Sequence, residues 1–266
     1  MDEVWFWPLL LGVLGLVFGS FIATVALRWP QGRSALQGRS ECDSCGKTLG
    51  ADELVPVASF LLQRGKCRSC GARIPRGHLI VELIALGIGL AAGFAAPGIE
   101  GAAGAVFGWL LLALAALDFV ALWLPNILNA ALAVAGIATG LLGVWPPLDE
   151  RLIGGLGGFA ALWTVAAIYR GLRGRDGLGG GDPKLFGAIG LWLGWRPLPA
   201  VLLVACVIGL TMVLVLRLRG RRMLAADRLP LGVMLAAAAW GLWLGGKVVP
   251  PPTIPVIVEV GPETMT

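Results

Sequence analysis

The chain has 266 residues, of which 57% are hydrophobic and only 14% are charged, and its mean hydropathy is +0.83. A soluble domain of ordinary composition is about 25% charged, so this composition excludes a water-soluble globular protein. The net charge of +5 is spread over loops that lack an aromatic stacking platform, which favours contact with anionic membrane lipid over a nucleic-acid partner.

Eight apolar stretches follow one another along the chain, and each is a candidate for one transmembrane helix. A spanning helix needs about 20 mostly apolar residues. The stretch 184–195 is short for a span, so we expect it to begin inside the preceding glycine-rich loop or to form a broken helix that protein encloses. The candidates cover residues 4–27, 79–96, 101–121, 127–145, 152–169, 184–195, 198–216 and 230–246.

Basic residues are concentrated in alternate connections between these stretches. If Met1 lies outside, the segments 28–78, 170–184 and 217–228 face the cytoplasm and carry 18 of the 21 lysines and arginines. Cytoplasmic loops have such an excess, so the pattern predicts that both termini lie outside. The start Met1-Asp2-Glu3 is acidic where a signal peptide is positive, so we expect residues 1–27 to be a retained first helix.

The long loop 28–78 contains two C-x2-C pairs, Cys42 with Cys45 and Cys67 with Cys70, separated by 21 residues. Four thiolates at this spacing suit a closed tetrahedral Zn²⁺ site with a structural role. A redox pair and unligated thiols are the alternatives, and disulfides fit poorly with a reducing cytoplasm. The sequence therefore predicts an all-α polytopic membrane protein of about eight transmembrane helices with a small zinc-binding cytoplasmic subdomain.

Three acids lie within or at the edges of the apolar stretches, namely Glu82, Asp118 and Asp182. Under the predicted topology all three lie toward the cytoplasmic side. An acid at the edge of a spanning helix is costly and is a candidate for function. Asp118 is near the end of the third stretch, and Asp182 follows the glycine-rich run 177–181, with Pro183 biasing it toward an extended backbone.

If Asp118 and Asp182 meet, repulsion between like charges in a poorly solvated site keeps one carboxyl protonated while the other ionises. One group can then deprotonate a water molecule while the other donates a hydrogen bond to a scissile carbonyl. The residues alone leave a plainer alternative open, in which Asp182 caps a helix and Asp118 pairs with an arginine. A transporter or scaffold would carry such non-catalytic acids, although a transporter favours matching helix interruptions in inverted repeats and only one glycine-rich interruption is found.

A series of motifs extends over residues 8–246. It comprises Phe18-Gly19-Ser20-Phe21, the two cysteine pairs, Val81-Glu82, Asp118, Leu124-Pro125, Gly179-Gly180-Gly181-Asp182-Pro183-Lys184 and Leu229-Pro230-Leu231-Gly232. In content and order the series resembles the bacterial type IV prepilin peptidases, the GxGD class of intramembrane aspartyl proteases. Asn126 departs from the family pattern, since many members have Asp at that position.

The resemblance implies an enzyme that cuts the basic leader from type IV prepilins and pseudopilins, after a Gly, on the cytoplasmic side of the bacterial inner membrane. Asp118 and Asp182 fall on the family's two catalytic aspartates, with Gly179 and Gly181 in the motif of the second. Many relatives also N-methylate the new N-terminus with S-adenosylmethionine, an activity associated with the region of the cysteine loop. A methyltransferase with vestigial aspartates is a third interpretation.

Two further site residues have two interpretations each. Glu82 could contact the basic leader or the new amino group of the substrate, or pair with a loop arginine. Lys184 could stabilise an ionised aspartate or mark the membrane edge. Residues 79–246 are expected to form a seven-helix peptidase membrane domain and 247–266 a proline-rich periplasmic tail, while the sequence indicates no particular oligomeric state.

Overall fold

The computed structural model describes residues 2–35, 40–42, 44–220 and 229–248. Each of the eight predicted apolar stretches is a helix in it, and one short helix is added in the cysteine loop. The predicted tail beyond residue 248 lies outside the described residues. The helices are α1 (Asp2–Arg28), α2 (Ala58–Leu62), α3 (Arg76–Ala95), α4 (Ile99–Ala121), α5 (Asn126–Leu141), α6 (Leu148–Arg173), α7 (Asp182–Leu193), α8 (Leu198–Leu218) and α9 (Leu231–Val248).

The lengths of the helices identify a multi-pass membrane protein. Helices α1, α3, α4, α6 and α8 are long and apolar enough to cross a membrane, and α5 and α9 are shorter apolar helices. Helix α7 has 12 residues, so at a rise of about 1.5 Å per residue it extends about 18 Å, less than the hydrocarbon core of about 30 Å. Nine of its residues are buried, so other helices enclose this short helix, as predicted.

Helices α1 and α3 pack antiparallel at close range. A Cβ atom at Gly93 would lie 2.6 Å from Cα of Pro8, and one at Gly19 would lie 2.8 Å from Cα of Glu82. Small residues let helix backbones approach each other in this way, and no larger side chain fits at these two positions. The contact places Glu82 beside the C-terminal half of α1.

Helix α4 is the central helix of the bundle. The indole N–H of Trp109 donates to the carbonyl of Ala85 in α3 at 3.0 Å. The indole N–H of Trp240 in α9 donates to the carbonyl of Gly104 at 3.3 Å. These two hydrogen bonds attach α4 to helices on two sides and leave its C-terminal end next to the start of α9.

Helix α7 is held by α4, α5 and α6 together. The ring of Trp192 stacks on Phe107 of α4 with centroids 4.8 Å apart, and its N–H donates to the carbonyl of Leu132 in α5 at 2.7 Å. Gly154 of α6 and Gly190 of α7 bring the two backbones into direct contact. Since α4 and α7 run antiparallel, the end of α4 and the start of α7 lie at one end of the bundle.

Arg151, in the first turn of α6, is buried with 1% exposure and has no acidic partner among the described residues. A buried charge is costly unless its hydrogen bonds are satisfied. Here the guanidinium ties the C-terminal end of α7 to α5 and α6. From the sequence alone, Arg151 is only one of the three basic residues outside the segments predicted to face the cytoplasm. Its acceptors are the carbonyls of Gly136, Val144, Trp145, Pro146 and Leu191 and the hydroxyl of Thr139.

Candidate active site

Asp118 lies in the last turn of α4 and is 5% exposed. Its Oδ2 atom accepts the backbone N–H of Val233, in the first turn of α9, at 3.2 Å. A Cβ atom at Gly232 would lie 2.8 Å from the same oxygen, so only glycine leaves room for the carboxylate. The N–H groups in the first turn of a helix lack intrahelical acceptors, so α9 offers this carboxylate a favourable position.

Asp182 is the first residue of α7 and is 7% exposed. Its Oδ2 atom accepts the backbone N–H of Gly179 at 2.9 Å, so the glycine-rich loop turns back onto the side chain. The extended backbone predicted at Asp182 is wrong, because its own N–H donates to the carbonyl of Gly179 at 3.2 Å and the residue is helical. Pro183 is tolerated as the second helical residue because N–H groups of the first turn have no intrahelical acceptor.

The structure brings the two aspartates together. Their carboxylates are close enough for their charges to interact. Leu124, in the turn between α4 and α5, packs between the glycine-rich loop and the start of α9. A Cβ atom at Gly181 would lie 2.6 Å from Cβ of Leu124, and one at Gly232 would lie 3.0 Å from its Cδ2. The end of α4, the glycine-rich loop and the start of α9 therefore converge on one buried carboxylate pair.

Lys184 does not pair with an aspartate among the described residues. Its Nζ atom donates to the side-chain oxygen of Asn126, the first residue of α5, at 2.7 Å. Its chain also lines a cavity of about 250 Å³ between α6 and α7. Lys184 thus joins the first turns of α5 and α7 near the aspartates without contacting either carboxylate.

Glu82 lies apart from the aspartate pair, beside the cysteine loop. It is 6% exposed, and its Oε2 atom accepts the backbone N–H of Val57 at 2.8 Å. Val57 has a φ of 60°, which a β-branched residue rarely adopts, so this hydrogen bond supports a strained turn before α2. The predicted alternative was an ion pair between Glu82 and a loop arginine. No ion pair joins Glu82 to any residue that the structure describes.

The four cysteines form a cluster that can hold a metal ion. Their sulfur atoms all lie within 4.8 Å of one another, and Sγ of Cys42 is 3.9 Å from Sγ of Cys70. A tetrahedron with Zn–S bonds of about 2.3 Å has edges of about 3.8 Å, whereas a disulfide bond is about 2.0 Å long. Backbone N–H groups of Cys70 and Ser69 lower the pKa of the Cys67 thiol to about 6, which favours the metal-binding thiolate.

The two cysteine pairs adopt the same local fold. The N–H of Gly46 donates to the carbonyl of Cys42, and the N–H of Gly71 donates to the carbonyl of Cys67, both at 2.9 Å. The two glycines have φ values of 68° and 71°, a conformation that favours glycine. Each C-x2-C-G segment therefore forms a tight turn that directs its two sulfur atoms to one point.

The sequence analysis missed the role of Val233, whose N–H holds the Asp118 carboxylate. A backbone donor has no residue signature, but the Pro230-Leu231-Gly232 segment is a signal that could have found it. Proline favours a helix start, and glycine in the first turn lets another group approach the backbone closely. The segment therefore indicates a helix start whose N–H groups can bind a functional side chain.

The fold and these two sites define a class of protein: a multi-pass membrane protein with a buried aspartate pair and a four-cysteine module at the same end of its helices. Comparison with known families agrees with this class. Residues 13–95 match the model of the bacterial peptidase A24 N-terminal domain, and residues 105–214 match that of the type IV leader peptidase family.

Individual relatives match over most of the chain. A prepilin leader peptidase/N-methyltransferase of Burkholderia pseudomallei is 39% identical over 85% of this chain and 81% of its own length. Proteins with the same name from Aeromonas hydrophila (36% identical, 78% and 72% covered) and Klebsiella pneumoniae (35%, 75% and 90%) are also similar. No solved structure matches the chain. The chain belongs to the type IV leader peptidase family, as its motifs predict.

Proposed function

We propose that the chain is an intramembrane aspartyl endopeptidase that removes the basic leader from type IV prepilins and pseudopilins after a Gly. The observation that carries this proposal is the buried, neighbouring pair formed by Asp118 and Asp182. The names of the relatives, prepilin leader peptidase/N-methyltransferase, support the choice of substrate.

The proposed chemistry uses the two carboxyl groups in opposite protonation states. The ionised group takes a proton from a water molecule that attacks the scissile carbonyl, while the protonated group donates a hydrogen bond to that carbonyl oxygen. The N–H groups of Gly179 and Val233 orient the two carboxyl groups by hydrogen bonding to one oxygen of each. The absence of side chains at Gly179 and Gly181 lets the loop approach the Asp182 carboxylate and Leu124 closely.

We place this site at the cytoplasmic face of the bacterial inner membrane. The distribution of basic residues supports this orientation, since 18 of the 21 lysines and arginines lie in the segments assigned to the cytoplasm. A prepilin anchored by its own apolar helix would then present its leader next to the aspartates. In this arrangement residues 28–78 form the cytoplasmic subdomain and residues 79–246 the peptidase membrane domain.

Two cofactors belong to the proposal. The four-cysteine cluster is proposed to hold Zn²⁺, and four thiolates leave no open position, so the ion would stabilise the loop and take no part in catalysis. N-methylation of the new N-terminus is the second proposed activity. S-adenosylmethionine, when bound, would supply the methyl group for this second activity.

Leader cleavage of a prepilin in detergent, followed by mass spectrometry, tests the aspartate pair. The wild type should cut after Gly, and Asp118→Asn and Asp182→Asn, which keep the shape and remove the titrating proton, should not. Asp149→Asn, an exposed aspartate in the first turn of α6, is the matched control and should cut normally. Cutting by either folded variant at the wild-type rate would return the chain to the transporter or scaffold interpretation.

A further inference from the structure

The turn between α4 and α5 reverses the chain directly after Asp118. Helix α4 ends at Ala121 and α5 begins at Asn126, so only residues 122–125 join them. The N–H of Leu122 donates to the carbonyl of Asp118 at 2.9 Å, and Leu122 has a φ of 51°, which a residue other than glycine rarely adopts. Such a conformation persists only where the surrounding structure holds it, so the contacts of this turn are informative.

The side chain of Leu124 extends from this turn into the space between the two elements that hold the aspartates. On one side, a Cβ atom at Gly181 would lie 2.6 Å from Cβ and 3.2 Å from Cδ1 of Leu124. On the other side, a Cβ atom at Gly232 would lie 3.0 Å from Cδ2 of Leu124 and 2.8 Å from Oδ2 of Asp118. The leucine therefore packs directly against the loop that leads into Asp182 and against the helix start that binds Asp118. Neither contact leaves room for one more methyl group.

The turn that carries Leu124 is fixed from the side of α5 and α7. The side-chain amide of Asn129, which is 4% exposed, donates to the carbonyls of Leu124 at 3.4 Å and Pro125 at 3.3 Å. The side-chain oxygen of Asn126 accepts a hydrogen bond from Nζ of Lys184 at 2.7 Å. Because the turn is held in this way, the spacing of the two elements next to Leu124 depends on the size of its side chain.

We propose that Leu124 is a positioning residue that sets the distance between the carboxyl groups of Asp118 and Asp182. It acts by holding the glycine-rich loop and the start of α9 apart, and this inference rests on the proposed peptidase function. Two neighbouring carboxyl groups bind their protons in two steps, and the separation of these steps in pH grows as the groups approach each other. The singly protonated pair is the reactive form. The width of the pH–rate profile therefore reports the distance that Leu124 sets.

The groups that face the two carboxyl groups leave this readout to the pair itself. They are the backbone N–H of Gly179 from the loop and that of Val233 from α9. The first turns of α5 and α9 carry no titratable side chain. No ion pair joins either aspartate to a residue that the structure describes. The charged side chains on the neighbouring elements are Lys184 on α7, which binds Asn126, and Arg170, Arg173, Arg175 and Asp176 at the end of α6 and in the loop, of which Arg170 and Asp176 pair with each other.

Cleavage kinetics of a size series at position 124 test this role in the full-length protein, with a purified prepilin as substrate. Leu124→Ala should lower kcat by about tenfold or more with little change in KM, because a misplacement of about 1 Å at a catalytic group is costly. It should also widen the pH–rate profile, since the carboxyl groups approach each other. Leu124→Phe should narrow the profile, since it forces them apart. Leu124→Met, which nearly conserves the volume, should keep the wild-type profile.

Leu128→Ala is the matched control, because Leu128 is a half-buried leucine in the first turn of α5 that packs against the core. It should lower the thermal unfolding midpoint as Leu124→Ala does and keep the wild-type profile. Leu124→Val, a smaller change in the same direction, keeps the test available if Leu124→Ala does not fold.

The inference is overturned if the folded Leu124 variants keep the wild-type profile. It is also overturned if the smaller and larger side chains shift the width in the same direction, which would indicate altered hydration instead of altered distance. In both cases a wild type that cuts, and that stops cutting in Asp118→Asn, leaves the peptidase proposal standing. A folded wild type that does not cut would remove the peptidase proposal and this inference together.

Discussion

Replacing Gly154 of α6 by alanine should displace α7 and slow leader cleavage while the protein stays folded. A Cβ atom at this position would lie 2.6 Å from the carbonyl carbon of Gly194 and 2.7 Å from the carbonyl oxygen of Gly190, whereas ordinary contact begins at 3.4 Å. Both neighbours are backbone atoms that cannot rotate away. The C-terminal end of α7 therefore has to move by most of an ångström, and Asp182 is at the other end of this short helix.

Overpacking of this kind costs about 1–3 kcal/mol, and alanine returns up to about 1 kcal/mol of helix propensity. We expect a net loss of about 1–2 kcal/mol in the free energy of unfolding. A misplacement of about 1 Å at a catalytic group lowers the rate by about 100-fold, so the effect on cleavage should exceed the effect on stability.

The assay compares initial cleavage rates and thermal unfolding midpoints of the purified variants in one detergent. Gly157→Ala, three residues further along α6, is the control, because no atom lies within 4 Å of its added Cβ. It should match or slightly exceed the wild-type stability and cut at the wild-type rate. If Gly154→Ala behaves like Gly157→Ala, the contact between α6 and α7 does not determine the position of Asp182.

Three further predictions follow from contacts outside the aspartate pair. Arg151→Met leaves several buried carbonyls without a donor and should lower stability by about 3–5 kcal/mol; an unchanged unfolding midpoint would contradict this role. Cys45→Ser should abolish the metal detected by elemental analysis while leader cleavage persists, because the aspartates lie on other helices; a loss of cleavage as complete as that of the metal would refute this separation. Lys184→Met should keep cleavage within a few-fold of wild type, because Lys184 contacts Asn126 and neither carboxylate; a loss as large as that of Asp182→Asn would show that it acts on the site.

The helices could be predicted from the sequence because a membrane admits few alternatives. Backbone groups in hydrocarbon must be hydrogen-bonded within the segment, so each apolar stretch of sufficient length becomes a helix. All eight predicted stretches are helices in the structure, including the short one that opens at Asp182. The four-cysteine cluster could also be predicted, because the spacing within each cysteine pair restricts how its sulfur atoms can be arranged.

The partners of each side chain were decided only by tertiary structure. Asp118 and the Val233 N–H that binds it are 115 residues apart, and nothing local in the chain records their contact. The same holds for Arg151, which sequence alone presents as a basic residue at a helix start. Its carbonyl acceptors exist only where α5, α6 and α7 meet. The sequence determined which segments form apolar helices because that depends on local composition, whereas the sites depend on which helices pack together.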